Sequence, residues 1–484
     1  MTKSFRYCLA LSGFVTLIST CLAQVSFSPH VIDNLPGRVS GMYAADVDRD
    51  GDHDIVATSR LSNAVVWWRN DGGSPLQGMK QTIDSTFGGA MYVCVADVDG
   101  DTINDVIASA VYAGEIGWWK NDGGVPINWT KQTIGTGFGT AHGVCAADID
   151  GDGKRDVLGT SESLNKIAWW RNGGGNPIIW TENAIDNSFL GTQSVCAVDI
   201  DRDGDIDVLG AAGGSNQIAL WRNDGGNPVV WTKQVISTTF AFAHWVMAAD
   251  VDGDSLHDVL GAAFSSNEIA WWRNNGGTPI SWTKQVIDGA FYGALTVQAA
   301  DLDGDGDTDV LGAAWSADDI VWWSNDGGNP IQWSKHVIDN NYNGAWPVFA
   351  CDLDGDSDID VMAGADVLNG SGVSAPPTWW KNTRSTGVKE SPRDGRPSKV
   401  LLQQNYPNPF NPSTTIPYAL PHTSFVTLTV CNTLGQQVAQ LVNEHQQAGY
   451  HDVVFRGDRL ASGVYVYRIQ AGDFVASKKL LLLK

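Results

Sequence analysis

Short apolar segments alternate with polar, glycine-rich stretches along most of the chain, and the alternation recurs every 51 residues. In one repeat the segments are Trp245–Ala249, Asp258–Ala263, Glu268–Arg273 and Trp282–Ile287. Their length and β-branched content suit strands, not helices. The first is apolar on both faces: Val246 and Ala248 point one way, Met247 and Ala249 the other. Such a strand belongs inside a fold, and its small residues suit a crowded axis. Asn274-Asn275-Gly276-Gly277 predicts a tight hairpin between the third and fourth segments. Four strands per period of this length predict one propeller blade per repeat.

Tryptophans keep the same beat. Trp67-Trp68, Trp118-Trp119, Trp169-Trp170, Leu220-Trp221, Trp271-Trp272 and Trp322-Trp323 are evenly spaced, and Trp379-Trp380 arrives six residues late. The delay places an insertion around residues 368–377. Trp129, Trp180, Trp231, Trp282 and Trp333 recur at the same interval. All are read as packing between blades. The fourth-segment marker is Val-Ile or a relative, as in Val235-Ile236, Val286-Ile287 and Val337-Ile338. It occurs once early, at Val31-Ile32, and is missing after Trp379-Trp380. The N-terminal segment Phe27–Asp33 is therefore expected to supply the outer strand of the last blade. That closure leaves neither end of the array as an open edge.

An Asp-rich loop separates the first and second segments of every repeat. The acids are Asp46, Asp48, Asp50 and Asp54; Asp97, Asp99, Asp101 and Asp105; Asp148, Asp150, Asp152 and Asp156; Asp199, Asp201, Asp203 and Asp207. They continue as Asp250, Asp252, Asp254 and Asp258; Asp301, Asp303, Asp305 and Asp309; Asp352, Asp354, Asp356 and Asp360. Hard oxygen ligands on alternate residues of a tight turn suit calcium, up to seven ions in all, with a main-chain carbonyl near position 7. Four carboxylates within nine residues repel one another unless a cation sits between them. An EF-hand is excluded, because the last acid is an Asp at position 9 and the flanks are strands. Position 6 is Gly51, Gly153, Gly204 or Gly306, but Thr102, Ser255 or Ser357 elsewhere. A left-handed turn costs a non-glycine residue about 1 kcal/mol, so those three sites are expected to be weaker.

With Asp-x-Asp-x-Asp-Gly-x-x-Asp between blade strands, residues 24–383 resemble the FG-GAP or VCBS-type repeats of integrin α-subunit propellers and of many bacterial secreted proteins. The resemblance implies a seven-bladed β-propeller whose calcium ions stiffen the blades. It names no ligand.

The net charge of −23 follows largely from these loops and argues against a nucleic-acid partner. Lys3 and Arg6, the apolar run Cys8–Thr20 and Cys21-Leu22-Ala23 read as a signal peptide over residues 1–23. The mature chain has no other stretch long enough to cross a membrane as a helix. Five cysteines remain, an odd number without metal or redox spacing, and are read as small buried hydrophobes.

Residues 384–400 form a polar linker. Residues 401–484 alternate as short strands and predict a small immunoglobulin-like β-sandwich. Asn405-Tyr406-Pro407-Asn408-Pro409-Phe410-Asn411-Pro412, Leu434-Gly435-Gln436, Leu460-Ala461-Ser462-Gly463-Val464-Tyr465 and the terminal Lys478–Lys484 closely resemble the type A C-terminal sorting domain of the bacterial type IX secretion system. That implies engagement of the secretion machinery and passage across the outer membrane, to release or surface attachment. A monomer is expected.

Function must come from where the repeat stops repeating. The variable positions fall on the loops opposite the Asp turns, with Tyr112, His142, His244, Trp315 and Trp346 as candidates for a ligand face. Exposed aromatics among a few polar groups suit a glycan or a protein. No nucleophile, zinc-protease or phosphate-loop motif appears, so a non-enzymatic binding or adhesion module is expected. The alternatives are a polysaccharide lyase and a pure scaffold.

Overall fold

The computed structural model describes residues 24–33, 39–72, 78–367, 374–385, 400–402, 405, 410, 412–432, 436–457, 460–472 and 474–482. The expected signal peptide and residues 386–399 of the expected linker lie outside them, as do residues 368–373 of the expected insertion. Two compact units divide at Ser385 and Thr386.

The first unit is a ring of seven four-stranded antiparallel sheets. Blade five shows the pattern: Ala243–Ala249, Asp258–Ala263, Glu268–Asn274 and Trp282–Asp288, paired in sequence order. Blade seven is built from Ala345–Cys351, Asp360–Ala365 and Thr378–Ser385, and its outer strand is Gln24–Val31. Gln24 pairs with Ser385 and Val31 with Thr378, so the chain's start closes the ring as the phase offset predicts.

The innermost strands are less buried than their sequence suggests. Met247, Ala248 and Ala249 are half-buried, and Met247 lines a central channel instead of a solid core. The third and fourth strands are not joined by a tight hairpin either. Asn274 pairs with Trp282, so residues 275–281 make a longer loop, in which Ser281 N–H donates to Gly276 O at 3.0 Å.

The repeated tryptophans pack between blades. In blades two to seven the second of the pair meets, edge to face, an aromatic on the preceding inter-blade loop: Phe87 on Trp119 at 4.8 Å, Phe240 on Trp272 at 5.0 Å and Tyr342 on Trp380 at 5.2 Å. Trp67 of blade one meets Trp129 of blade two at 6.4 Å. Each such aromatic pair contributes roughly 0.5–1.5 kcal/mol beyond its buried area.

A second tie between blades is polar. In blades two to six the third strand ends on a buried asparagine; in blade one Asn70 follows that strand closely and in blade seven Asn382 lies within it. In blade four, Asn223 Nδ2 donates to Ile206 O of its own blade at 3.2 Å and to Ile149 O of blade three at 2.9 Å. Its Oδ1 accepts from Gly225 N at 2.9 Å. Asn121, Asn172, Asn274, Asn325 and Asn382 repeat the bond to the preceding blade. Asn70 of blade one reaches Leu353 O of blade seven at 2.7 Å, so the seam at the chain ends carries the same tie.

The second unit is a β-sandwich. One sheet is ordered Leu401–Leu402, Ser413–Leu420, Gly449–Arg456; the other is Gln437–Gln446, Ser424–Asn432, Gly463–Ala471, Phe474–Leu482. Ile416, Tyr418 and Phe455 face Val426, Leu428, Val430, Tyr467 and Ile469 across the core. Ser413–Leu420 contains Pro417, which weakens the strand signal. Proline is tolerated there because Leu401 and Leu402 pair only with Ala419 and Tyr418, leaving Pro417 on an open edge.

Replacing Asn223 with Ala removes three hydrogen bonds, one buried and two part-buried, and leaves two main-chain carbonyls without that donor. A loss of about 3 kcal/mol is expected, read as a lower urea midpoint with an unchanged m-value.

Candidate functional site

Each Asp-rich loop turns on itself through its own backbone. In blade six, Asp301 accepts from Gly304 N at 2.6 Å and from Gly306 N at 3.1 Å, and Asp303 accepts from Asp305 N at 3.1 Å. Two residues of each loop are left-handed, where the sequence points to one. Position 6 has positive φ in all seven loops, from 70° at Thr102 to 100° at Gly51. Position 4 does too, from 64° at Arg202 to 78° at Gly100. The missed signal was a second glycine, replaced by Arg49 and Arg202 in blades one and four. Only blades three and six have glycine at both positions, Gly151 with Gly153 and Gly304 with Gly306.

The fourth acid differs from the other three. Asp54, Asp105, Asp156, Asp207, Asp258, Asp309 and Asp360 are buried. In blade four, Asp207 Oδ2 accepts from Ile200 N at 3.1 Å and Oδ1 from Asn223 N at 2.7 Å. It thus locks its loop to the asparagine that ties the blades. Each oxygen keeps a further lone pair. Burial pushes these carboxyls up from an ordinary 3.8, to about 6 at Asp54 and Asp156 and to about 7 at the other five.

Side-chain oxygens of the first three acids converge closely enough to share one cation, as in Asp46, Asp48 and Asp50 or Asp250, Asp252 and Asp254. Several are buried without a hydrogen-bond partner: Asp148 Oδ1, Asp150 Oδ1, Asp199 Oδ1, Asp250 Oδ1 and Asp354 Oδ1. Buried, unpaired carboxylate oxygens are costly, and a hard cation satisfies them. A basic residue from the third strand leans on six loops. Arg69 meets Asp48 at 3.0 Å, Arg273 meets Asp252 at 2.6 Å, and Lys120, Arg171, Arg222 and Lys381 do the same elsewhere. In blade six that position is Ser324, which donates to Asp326 instead.

On the opposite face, between second and third strands and between blades, the candidate residues separate. Tyr112 is 64% exposed. Trp315 is half-buried, its Nε1 donating to Asp366 O at 2.7 Å. His142, His244 and Trp346 are buried, contrary to the expectation of exposed side chains. They close the channel with Tyr92: His142 and His244 lie 6.0 Å apart, Tyr92 meets His142 at 5.3 Å, and Trp346 Nε1 donates to Tyr92 Oη at 3.2 Å. The innermost strands bring these groups together because they converge on the axis. Burial pushes His142 down to about 4 and His244 to about 3.

One residue on this face breaks a backbone rule. Gly89, Gly191, Gly293 and Gly344 occupy the same repeat position with φ between 68° and 81°. Each N–H donates to the side chain of Asn63, Asn165, Asn267 or Asp318. Phe242 holds that position in blade five with φ of 52° and the same bond, to Asn216. Its ring lies 5.9 Å from Phe264, which lies 6.1 Å from Trp315. Between Gly89 and Gly344 the glycine series is interrupted in the sequence at both Thr140 and Phe242, and only Phe242 keeps the positive φ. The positive φ itself was not visible there.

FG-GAP-like repeats are matched at residues 46–108, 148–210, 199–261, 250–312 and 301–363, more than half of the chain. This chain belongs to the FG-GAP-like repeat family. Residues 404–483 match the secretion system C-terminal sorting domain. That domain assigns the FG-GAP-like chain to type IX export, to the extracellular space or cell surface, and to interaction with that machinery. Among the described residues no helix is long and apolar enough to cross a membrane.

The FG-GAP-like chain is similar to the aldos-2-ulose dehydratase of Phanerodontia chrysosporium, 25% identical over 276 residues. The match covers 49% of this chain and 29% of that protein, so the chain spans under a third of that relative's length. Two solved structures of BBS1N in complex with ARL6DN, soaked with mercury and with lead, match with TM-scores of 0.48 and 0.45 at 11% and 10% identity. Each covers 76% of this chain and 98% of the other.

In metal-free protein the seven buried carboxyls hold protons that the unfolded chain releases above pH 3.8. The native state therefore binds more protons between about pH 4 and pH 7, and stability falls as pH rises through that window. Melting temperature against pH in a chelator should show this fall, and excess calcium should remove it.

Proposed function

We propose that this is a calcium-stabilised extracellular binding module that recognises a glycan through the face opposite its Asp loops. One observation carries the reading. Phe242 stands where the repeat uses glycine, and a bulky residue in left-handed backbone costs about 1–3 kcal/mol. Strain of that kind persists where it serves a site. What it yields is an aromatic platform, Phe242–Phe264–Trp315, rimmed by the Arg60–Asp366 ion pair at 3.0 Å. Flat rings beside hydrogen-bonding groups suit the apolar face of a sugar.

Calcium in the Asp loops would hold the opposite face rigid. The first three acids would ligate it with a backbone carbonyl, and Asp207 and its equivalents would add oxygens while anchoring the loop. Blade six is the strongest site, with glycine at both left-handed positions and Ser324 in place of a base. Blades one, two, four, five and seven are weaker, which revises the ranking by position 6 alone.

A second reading, elimination chemistry, is favoured by the convergence of Tyr92, His142 and His244 in a chain similar to a dehydratase. His142 Nδ1 lies 3.0 Å from Gln193 O and His244 Nδ1 2.8 Å from Leu295 O. With Nδ1–H donated there, each Nε2 keeps its lone pair and can take a proton. Incubation with an aldos-2-ulose or with acidic glycans tests it; unsaturated product that disappears in His142→Gln establishes it, and no product removes it.

Calcium should raise the melting temperature, and Asp303→Asn should remove more of that gain than Asp99→Asn. On a glycan array, Phe242→Gly should lose binding at least about tenfold while the melting temperature holds or rises, since glycine relieves the strain. Binding unchanged in both Phe242→Gly and Trp315→Ala would reject the platform.

A further inference from the structure

The central channel has one closed end. At the repeat position of His142 the side chains are buried in all seven blades, none more than 6% exposed. Further along the same strands, at the position of Cys145, six of the seven are half-buried. Each innermost strand then runs directly into its first acid, Asp46, Asp97 or an equivalent, and these too are half-buried. A recess of about 920 Å³ between the Asp loops of blades two and three shares Val95 and Ala146 with the channel cavity. The channel is therefore closed at the variable face and opens among the Asp loops.

Its cavity of about 270 Å³ suits a small ligand. Rings from four blades line it. Tyr92 and Trp245 meet across the axis at 5.3 Å and make the floor. Tyr92 is fixed there, since its Oη accepts from Trp346 Nε1 at 3.2 Å. Tyr43 and Phe349 pack on each other at 5.0 Å and make one wall. Cys94, Cys145, Cys196 and Met247 hold the register of Tyr43 on the next four blades and make the other. No carboxylate, ammonium, guanidinium or imidazole lines the cavity. Ser194 Oγ accepts from Val246 N at 3.0 Å and Thr296 Oγ1 donates to Trp346 O at 2.6 Å, so both hydroxyls are engaged. Gln298 adds the one side-chain amide.

We propose that this channel binds a small quaternary ammonium compound. Its rim is acidic, and seven divalent ions in the loops would not reverse the net charge of −23. An anion is repelled there and a cation drawn in. A sugar or a primary amine would leave O–H or N–H groups unpaired against apolar walls. A fully methylated ammonium has no N–H to satisfy, and ring faces attract its charge. The Gln298 amide remains for a hydroxyl on the same ligand. The Phe242 platform belongs to the closed end, where its ring stacks on His244 at 6.5 Å, so the two sites have separate entrances.

Isothermal titration of the purified full chain in excess calcium tests this with choline and with dimethylbutanol, the uncharged isostere in which carbon replaces nitrogen. One choline per chain is expected, bound at least about tenfold more tightly than dimethylbutanol. Tyr43→Leu and Trp245→Leu should each weaken choline about fivefold or more and change dimethylbutanol less, whereas Tyr43→Phe should hold. No uptake at about 1 mM choline, equal affinity for the two compounds, or choline binding that survives both leucine variants overturns the proposal. Should Trp245→Leu not fold, Tyr43→Leu against Tyr43→Phe decides alone: equal choline affinity in the two overturns the site.

Discussion

At or near the end of each third strand, one buried asparagine side chain bonds two blades through main-chain carbonyls that no strand pairs. The same residue's N–H meets the buried Asp that ends the acidic loop, so Asn223, Asp207 and Ile149 form one connected unit. Without it, each seam would bury unpaired carbonyls at about 1–3 kcal/mol apiece. Because the unit recurs at every seam, including Asn70 to Leu353, the ring does not depend on its N-terminal strand alone. Aromatic contacts such as Phe240 on Trp272 then fill the space that these bonds fix.

The arrangement separates two tasks. The face that carries the acidic loops repeats almost without change, since each loop must present its carboxylates and its two left-handed residues. The other face is freer to vary: five of its inter-blade loops keep one left-handed turn held by an Asn or Asp, and the loop before blade three, with Gly114 and Thr140, does without that bond. Phe242 keeps the bond and gives up the glycine. The channel lies between the faces, and its lining varies blade by blade, which is how thiols gather on one side and aromatics on the other.

Much was legible from the chain alone. The fixed beat of 51 residues, the Trp pairs and the early Val31-Ile32 marker sufficed for blade number and for how the ring closes. The Asp positions and the sorting module could be read directly as well. These are properties of local spacing, and spacing survives in one dimension. The sandwich strand Ser413–Leu420 was obscured by Pro417, whose tolerance depends on how short its neighbour is.

Tertiary structure decided what depends on neighbours in other blades. His142, His244 and Trp346 vary like exposed loop residues, yet they are buried, because seven strands converge on one axis. Cys94, Cys145 and Cys196 read as separate small hydrophobes until the ring puts them in one layer. The role of the recurring Asn could not be read from its own repeat, since its partner carbonyl lies 74 residues away in most blades. Sequence determined the repeat, its turns and its closure, because those follow from local patterning. Burial, adjacency and the shape of the channel came only from the closed ring, because they are set by which blades meet.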